Sequence, residues 1–99
     1  MHVITRRRLN EFAEKHPDTL SALAHWYRLM KTGTFRSFAH LRETFPSADL
    51  VGKLTVFNIG GNKYRLIVDI SYARQVIYVK HVLTHKEYDK ENRKKDCGG

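Results

Sequence analysis

The stretch LTVFNIGGNKYRLIVDI, residues 54–70, decides the fold class. In its second half apolar residues recur at every other position, which is the period of a strand with one face on a core. Gly60 and Gly61 divide the stretch, and glycine tolerates the positive φ that a hairpin turn needs. Residues 54–59 and 63–70 are therefore predicted to form two strands joined by a hairpin turn.

The chain downstream of the hairpin predicts one more strand and a short helix. Residues 75–83 are apolar on both faces, which is typical of a strand in the interior of a sheet. Thr84 is a good N-cap residue, and a last short helix is expected over residues 84–93. The sheet is thus predicted to be a three-stranded meander that ends in a helical turn.

Upstream of the sheet, apolar residues recur every three or four positions, which predicts helices. A short strand at residues 2–4 leads into the first helix, with Thr5 as its N-cap, and Pro17 ends that helix. Asp18 is the predicted N-cap of a second helix, and Ser37 precedes a third, shorter one. The predicted order is β-α-α-(short α)-β-β-β-short α, which is an α+β fold.

Length and composition limit the class of protein. Ninety-nine residues with 41% hydrophobic side chains suit a single domain, expected over residues 1–93, with 94–99 as a flexible basic tail. A single cysteine, Cys97, cannot form an internal disulfide. The apolar runs fall far short of the roughly 20 residues that span a bilayer. The sequence therefore predicts a cytoplasmic protein without a membrane partner.

The charge of the chain favours a polyanionic partner. Eighteen Lys and Arg residues against ten Asp and Glu residues give a net charge of +8. Such an excess is typical of proteins that bind nucleic acid, although a basic surface can also serve solubility alone. No helix-turn-helix signature is present, which argues against base-specific reading of duplex DNA.

Residues that can handle a phosphate are concentrated in two segments, 62–65 and 80–90. Arg65 lies on the less apolar face of its strand, where a guanidinium offers a planar fork that matches phosphate oxygens. The alternative is that Arg65 forms an ordinary surface salt bridge. Pairing within the predicted meander can bring the two segments together.

His85 and Tyr88 are the candidates for proton transfer. They are three positions apart, so both point the same way if the segment is helical. Histidine exchanges protons at neutral pH, whereas a tyrosine phenol does so only where a cationic surround lowers its pKa. The alternative is that Thr84 caps a helix whose first turn contains His85, with no catalytic role.

The six histidines do not predict a metal site. His81 and His85 are the one pair spaced four apart, but the HExxH pattern is missing and the pair straddles a predicted strand end. A single cysteine provides no zinc-finger framework. The sequence therefore predicts neither a metal nor another cofactor.

Several motifs together resemble a known family. The run VFNI at 56–59, the following GNKYRLI at 61–67 and the later THKEYDK at 84–90 look like the HigB family of type II toxins. Further matches occur in order over residues 1 to about 90. The resemblance to HigB toxins and the wider RelE superfamily implies a RelE-like fold, a small twisted and mostly antiparallel sheet packed against N-terminal helices.

The resemblance also implies an activity. RelE-like toxins cleave mRNA, usually during translation on the ribosome, as metal-independent endoribonucleases in which the 2′-hydroxyl attacks the adjacent phosphate. It implies Arg65, His85 and Tyr88 as catalytic residues, with Asp89 as an orienting residue. Asn62, which follows the two glycines, is expected to be a turn residue by its type. The residues implied in binding RNA phosphates are Lys63, Lys80, Lys86, Arg6, Arg7 and Arg8.

Family membership would imply partners as well. These are mRNA, the ribosome and a HigA-type antitoxin whose helix-turn-helix domain represses the shared operon, so that DNA is contacted only through the antitoxin. A different class of function is compatible with the same features. The chain would then be a non-catalytic module of the same fold that binds RNA or the ribosome, or that serves the antitoxin as a corepressor.

Overall fold

In the computed structural model, which describes residues 1–4, 6–61 and 63–88, three helices and a first strand precede a four-stranded meander. The strands are β1 (His2–Ile4), β2 (Asp49–Val51), β3 (Leu54–Ile59), β4 (Tyr64–Ser71) and β5 (Val76–Thr84). The helices are α1 (Arg6–Lys15), α2 (Leu20–Thr32) and α3 (Phe38–Thr44). The sheet order is β1-β5-β4-β3-β2, parallel between β1 and β5 and antiparallel elsewhere. This confirms the α+β class and the mostly antiparallel sheet.

The predicted three-stranded meander is wrong by one strand. Asp49–Val51 form the edge strand β2, which the sequence does not predict, and Gly52 with φ +64° turns the chain into β3. Three residues are too few to show an alternation, and the side chain of Leu50 is 48% exposed. Short edge strands of this kind limit sheet-to-sheet association and leave little apolar signal in a sequence.

The helix boundaries agree with the sequence except at the second helix. Asp18 is not an N-cap, because Pro17–Thr19 form a single 3-10 turn and α2 begins after it at Leu20. The Thr19 hydroxyl donates to the carbonyl of His16, and no side chain caps α2. Ser37 caps α3 as predicted, accepting from the backbone N–H of His40. The predicted cap at Thr5 lies outside the described residues.

The core lies between the helices and one face of the sheet. Trp26 of α2 and Phe57 of β3 are each 2% exposed and meet edge to face, with ring centroids 5.6 Å apart. Phe45, just after α3, contacts the other side of Phe57 at 5.0 Å. These three aromatic rings tie α2 and the end of α3 to the middle of the sheet. No helix in the described part of the chain is both long and apolar enough to cross a membrane.

The β3–β4 hairpin has the predicted turn. Gly60 and Gly61 have φ values of +62° and +72°, a region that glycine enters at little cost. Asn62, predicted as a turn residue, lies outside the described residues. In the register that follows, Arg65 stands opposite Asn58 of β3 and opposite Leu83 of β5. The turn therefore fixes which residues flank Arg65.

Strand β5 is interior to the sheet, as predicted, but two consecutive polar residues interrupt it. A bulge in the β4–β5 pairing leaves Val68 opposite Val79 and Ile67 opposite His81, so Lys80 is the extra residue. Lys80 and His81 are both exposed. A bulge re-aims side chains and increases the local twist, which explains why two consecutive residues of an interior strand are both exposed at this point.

Candidate active site

Arg65 projects from the sheet face opposite the helices, as its strand alternation predicts. Its neighbours Tyr64 and Leu66 contribute to the core side of β4, whereas Arg65 is half-buried. The guanidinium Nη1 donates to the carbonyl of Tyr64 at 3.3 Å. Its Cζ atom lies 5.8 Å from the centroid of the Tyr88 ring, in the range of a cation–π contact. The structure thus brings together two of the residues implied as catalytic.

A helical turn over residues 85–88 carries the other candidates. The Thr84 hydroxyl accepts from the N–H of Glu87 and the Glu87 carboxylate accepts from the N–H of Thr84, each at 3.1 Å. This reciprocal capping box fixes the start of the turn. His85 and Tyr88 are three residues apart within it, so their side chains share one side. The predicted cap at Thr84 is confirmed.

A backbone hydrogen bond joins this turn to the hairpin. The N–H of His85 donates to the carbonyl of Lys63 at 2.9 Å. Lys63 and Arg65 of the first phosphate-handling segment therefore share one corner with His85 and Tyr88 of the second. The imidazole of His85 is exposed to solvent and Tyr88 is half-buried, so a ligand has access to the corner from outside.

The remaining predicted phosphate ligands lie elsewhere or outside what is described. Lys80 is at the bulge, with its Nζ 5.9 Å from the ring centroid of Tyr78 rather than in the Arg65 corner. Arg7 and Arg8 are exposed on α1, and Lys86 is exposed next to His85. Arg6 begins α1, but its side chain is not described, and Asp89 lies outside the described residues.

An unpredicted contact supports the corner from behind. The Tyr64 hydroxyl donates to Asp18, at 2.9 Å to Oδ2 and 3.1 Å to Oδ1. The Tyr64 ring also contacts Phe12 and His16, with both centroid distances at 5.4 Å. Tyr64 thus faces the core, and its hydroxyl anchors β4 to the turn after α1. Asp18 and Tyr64 are 46 positions apart, so no local pattern signals this pair.

The hydrogen bond between Asp18 and Tyr64 changes the pKa of the Tyr64 phenol. Asp18 raises the pKa of Tyr64 above its ordinary value of 10.0, mainly because the phenol donates a hydrogen bond to the carboxylate. Burial and the charge of Asp18 raise the pKa further. At neutral pH Tyr64 is therefore a protonated donor, and its role is to position β4 rather than to transfer a proton.

We expect the thermal stability of the protein to decrease more steeply above pH 10 than that of a Tyr64→Phe variant. A raised pKa means that the folded state holds the phenol proton when the unfolded chain has already released it. The contribution is fully present below the unfolded pKa and is lost as the pH rises through the folded pKa. Midpoints of thermal unfolding between about pH 8 and pH 11 measure the difference.

An Asp18→Asn variant is the matched control, because the amide removes the charge and keeps the shape of the side chain. Its stability should follow the shallower pH dependence of Tyr64→Phe. Equal pH dependence in all three proteins would contradict a link between the Asp18 contact and the titration of Tyr64.

The described residues offer few side chains that could bind a metal ion together. In residues 1–4, 6–61 and 63–88 no three His, Cys, Asp or Glu side chains are grouped so as to hold an ion. The His81 and His85 pair is divided between the strand β5 and the turn that follows it. The groups gathered at the corner are instead a guanidinium, an imidazole and a phenol, which suit binding and proton transfer at an anion.

Comparison with known proteins gives consistent matches. A family model described as HigB_toxin, RelE-like toxic component of a toxin-antitoxin system, matches residues 19–91. An mRNA interferase toxin HigB from Escherichia coli is 37% identical over 92 residues, covering 90% of this chain and 88% of that protein. An mRNA interferase HigB from Shigella flexneri has the same identity and coverage. One from a second Escherichia coli strain is 35% identical over 96 residues, covering 94% of this chain and 93% of that protein.

Proposed function

The chain belongs to the HigB family of RelE-like toxins, and on this premise we propose that it is a toxin that cleaves mRNA with the corner around Arg65. The observation that supports this site most directly is the approach of the Arg65 guanidinium to the Tyr88 ring at 5.8 Å. The same corner includes His85, whose backbone N–H donates a hydrogen bond to the carbonyl of Lys63. A fixed cation beside two groups able to transfer protons is the minimum that cleavage of a phosphodiester requires.

The proposed reaction uses the 2′-hydroxyl of the RNA as its nucleophile. One of His85 and Tyr88 removes the hydroxyl proton as O2′ forms a bond to the adjacent phosphorus, and the P–O5′ bond breaks. The other gives a proton to the leaving O5′. The products are a 2′,3′-cyclic phosphate and a 5′-hydroxyl end, so protons and electrons balance without a metal, a cofactor or water.

Arg65 is assigned to the transition state. Two negative charges develop on the pentacoordinate phosphorus, and a guanidinium provides two parallel N–H donors to its oxygens. Lys63, Lys80 and Lys86 are assigned to neighbouring phosphates, where each contributes a salt-sensitive attraction. Asp89 remains the proposed orienting residue.

The proposed setting is the translating ribosome in the cytoplasm. The cations at Arg6 and Arg7 are assigned to ribosomal RNA and Arg8 to an RNA phosphate, which would make docking sensitive to salt. A cognate antitoxin follows from the family, and we propose that it is of the HigA type, with a helix-turn-helix domain that contacts DNA. Residues 1–93 are proposed to form the toxin domain, with 94–99 as a tail that takes no part in the chemistry.

Primer extension on a reporter mRNA in a cell-free translation reaction tests the proposal. Wild type should produce new 5′ ends that polynucleotide kinase labels without prior phosphatase treatment, because they carry a hydroxyl. His85→Ala should lower their yield by about 100-fold, which is the usual contribution of a general acid or base. Parallel reactions on the same mRNA without ribosomes measure ribosome dependence.

Arg74→Ala is the matched control, since Arg74 is exposed in the turn at the far end of β4. It should cleave like wild type. Translational arrest without new 5′ ends in any reaction would contradict the enzyme and favour the non-catalytic module that acts by occupancy. Cuts that persist in His85→Ala would instead remove that residue from the mechanism.

A further inference from the structure

A second cationic cleft lies beside the proposed active site, between α1 and residues 81–82 of β5. It has a volume of about 190 Å³ and is lined by Arg8, Glu11, Phe12, Lys15, His81 and Val82. The α1 residues are spaced at i, i+3, i+4 and i+7, so they share one side of the helix. The strand β1 pairs only with residues 76–78 of β5. The later residues of β5 therefore have no strand on that edge and face α1, which leaves room for the cleft.

The cleft is built for an anion. Arg8 and Lys15 are exposed, and in the part of the chain that the structure describes neither forms an ion pair. His81 joins them because the bulge at Lys80 shifts the register of β5 at that position. Two cations and an imidazole therefore surround one carboxylate, Glu11, and the cleft has a net positive charge.

The cleft and the Arg65 corner are close together along β4 and β5, and an aromatic cluster packs behind them on the core side. Phe12, which lines the cleft, stacks on His16 with centroids 4.5 Å apart and planes 28° apart. Both rings contact Tyr64, the residue next to Arg65. Along β5 the two sites are two positions apart, since His81 lines the cleft and Leu83 stands opposite Arg65. The rings themselves pack against the core or against one another, so the cations that line the cleft are the groups available to a ligand.

We propose that the cleft of Arg8, Lys15 and His81 is a second phosphodiester subsite, which holds RNA backbone while a neighbouring phosphate occupies the Arg65 corner. The proposal rests on the proposed function, because it assigns part of the same RNA-binding surface. Arg8 and Lys15 bind the phosphate oxygens, His81 donates a hydrogen bond from the β5 side, and Glu11 opposes binding by its charge. The phosphodiester belongs either to the mRNA strand or to ribosomal RNA, which share this chemistry.

Fluorescence anisotropy with a labelled 2′-O-methyl oligoribonucleotide of about 12 nucleotides tests the subsite. This probe binds without being cleaved, because it lacks the attacking hydroxyl. Arg8→Glu and Lys15→Glu should each weaken binding about 10-fold at low salt. The slope of log K against log salt should decrease by about 0.7 for each phosphate that is no longer neutralised. Glu11→Gln should strengthen binding about 2-fold, because it removes the opposing charge.

Lys53→Glu is the matched control, an exposed cation in the β2–β3 turn at the other edge of the sheet. It should bind within about 2-fold of wild type, since it lies far from the cleft. Circular dichroism confirms that every variant is folded. The same set is then assayed by co-sedimentation with purified ribosomes.

Weaker binding of the cleft variants to the oligonucleotide assigns the subsite to the mRNA strand. Weaker binding to ribosomes alone assigns it to ribosomal RNA. Cleft variants that bind both probes like Lys53→Glu, or a wild type that binds neither probe, would overturn the proposal. Failure of the proposed function is distinguishable, because it is the absence of cuts in the translation reaction and does not depend on this comparison.

Discussion

Replacing Arg65 with alanine is expected to lower the rate of mRNA cleavage by about 100- to 1,000-fold, which is the usual effect of removing one preorganised donor to a developing anion. The reason is that the Arg65 guanidinium is held within cation–π range of Tyr88, a candidate proton-transfer residue. Fold stability should change little, because the side chain lies on the face opposite the core. Single-turnover cleavage of a reporter mRNA, with protein in excess, measures the rate.

Arg65→Lys separates charge from geometry. A lysine keeps the charge but loses the planar fork, and its rate should lie between those of wild type and Arg65→Ala. Arg74→Ala again serves as the control for loss of one cation. A folded Arg65→Ala protein that cleaves within about 3-fold of wild type would exclude Arg65 from transition-state stabilisation.

Phe57→Ala is expected to lower the free energy of unfolding by about 3–5 kcal/mol. Phe57 is 2% exposed and is the ring on which Trp26 and Phe45 both pack. Its truncation leaves a cavity where α2, the end of α3 and β3 meet. Domains of this size have a total stability of about 5–15 kcal/mol, so the variant should be at or near the limit of folding. Urea denaturation followed by circular dichroism measures the change.

Two further variants make the comparison specific to the aromatic cluster. Phe57→Leu retains much of the volume and should lose less stability than Phe57→Ala. Leu20→Ala removes an apolar side chain that is 62% exposed, and its effect should stay within about 0.5 kcal/mol. Equal destabilisation by Phe57→Ala and Leu20→Ala would contradict the assignment of Phe57 to the centre of the core.

The sequence predicts those elements whose determinants are local. The β3–β4 hairpin follows from alternation and from Gly60 and Gly61, and the cap at Thr84 follows from its residue type. Strand β2 escapes prediction because three residues carry no period, and the bulge at Lys80 because it depends on pairing with β4. Asp18 has the residue type of a helix N-cap. In the structure its carboxylate instead accepts a hydrogen bond from the distant phenol of Tyr64.

The sequence predicts which residues belong to the candidate site better than it predicts the contacts that hold them in place. Chemistry and resemblance to a family point to Arg65, His85 and Tyr88, and the structure brings them to one corner. The supporting contacts cannot be predicted, since the bond from His85 to Lys63 joins residues that are close only once β4 and β5 have paired. The cleft at His81 depends on the bulge for the same reason.

The parallel pairing of β1 with β5 has a consequence for the order in which the protein folds. His2 is paired with Val76, so the first strand to be synthesised waits for a partner that is among the last described elements of the chain. Closing so long a loop costs conformational entropy before the pairing contributes any stability, which slows folding. During synthesis the sheet therefore stays incomplete until β5 is available, and a nascent chain that stops before residue 76 lacks both β5 and the turn that carries His85.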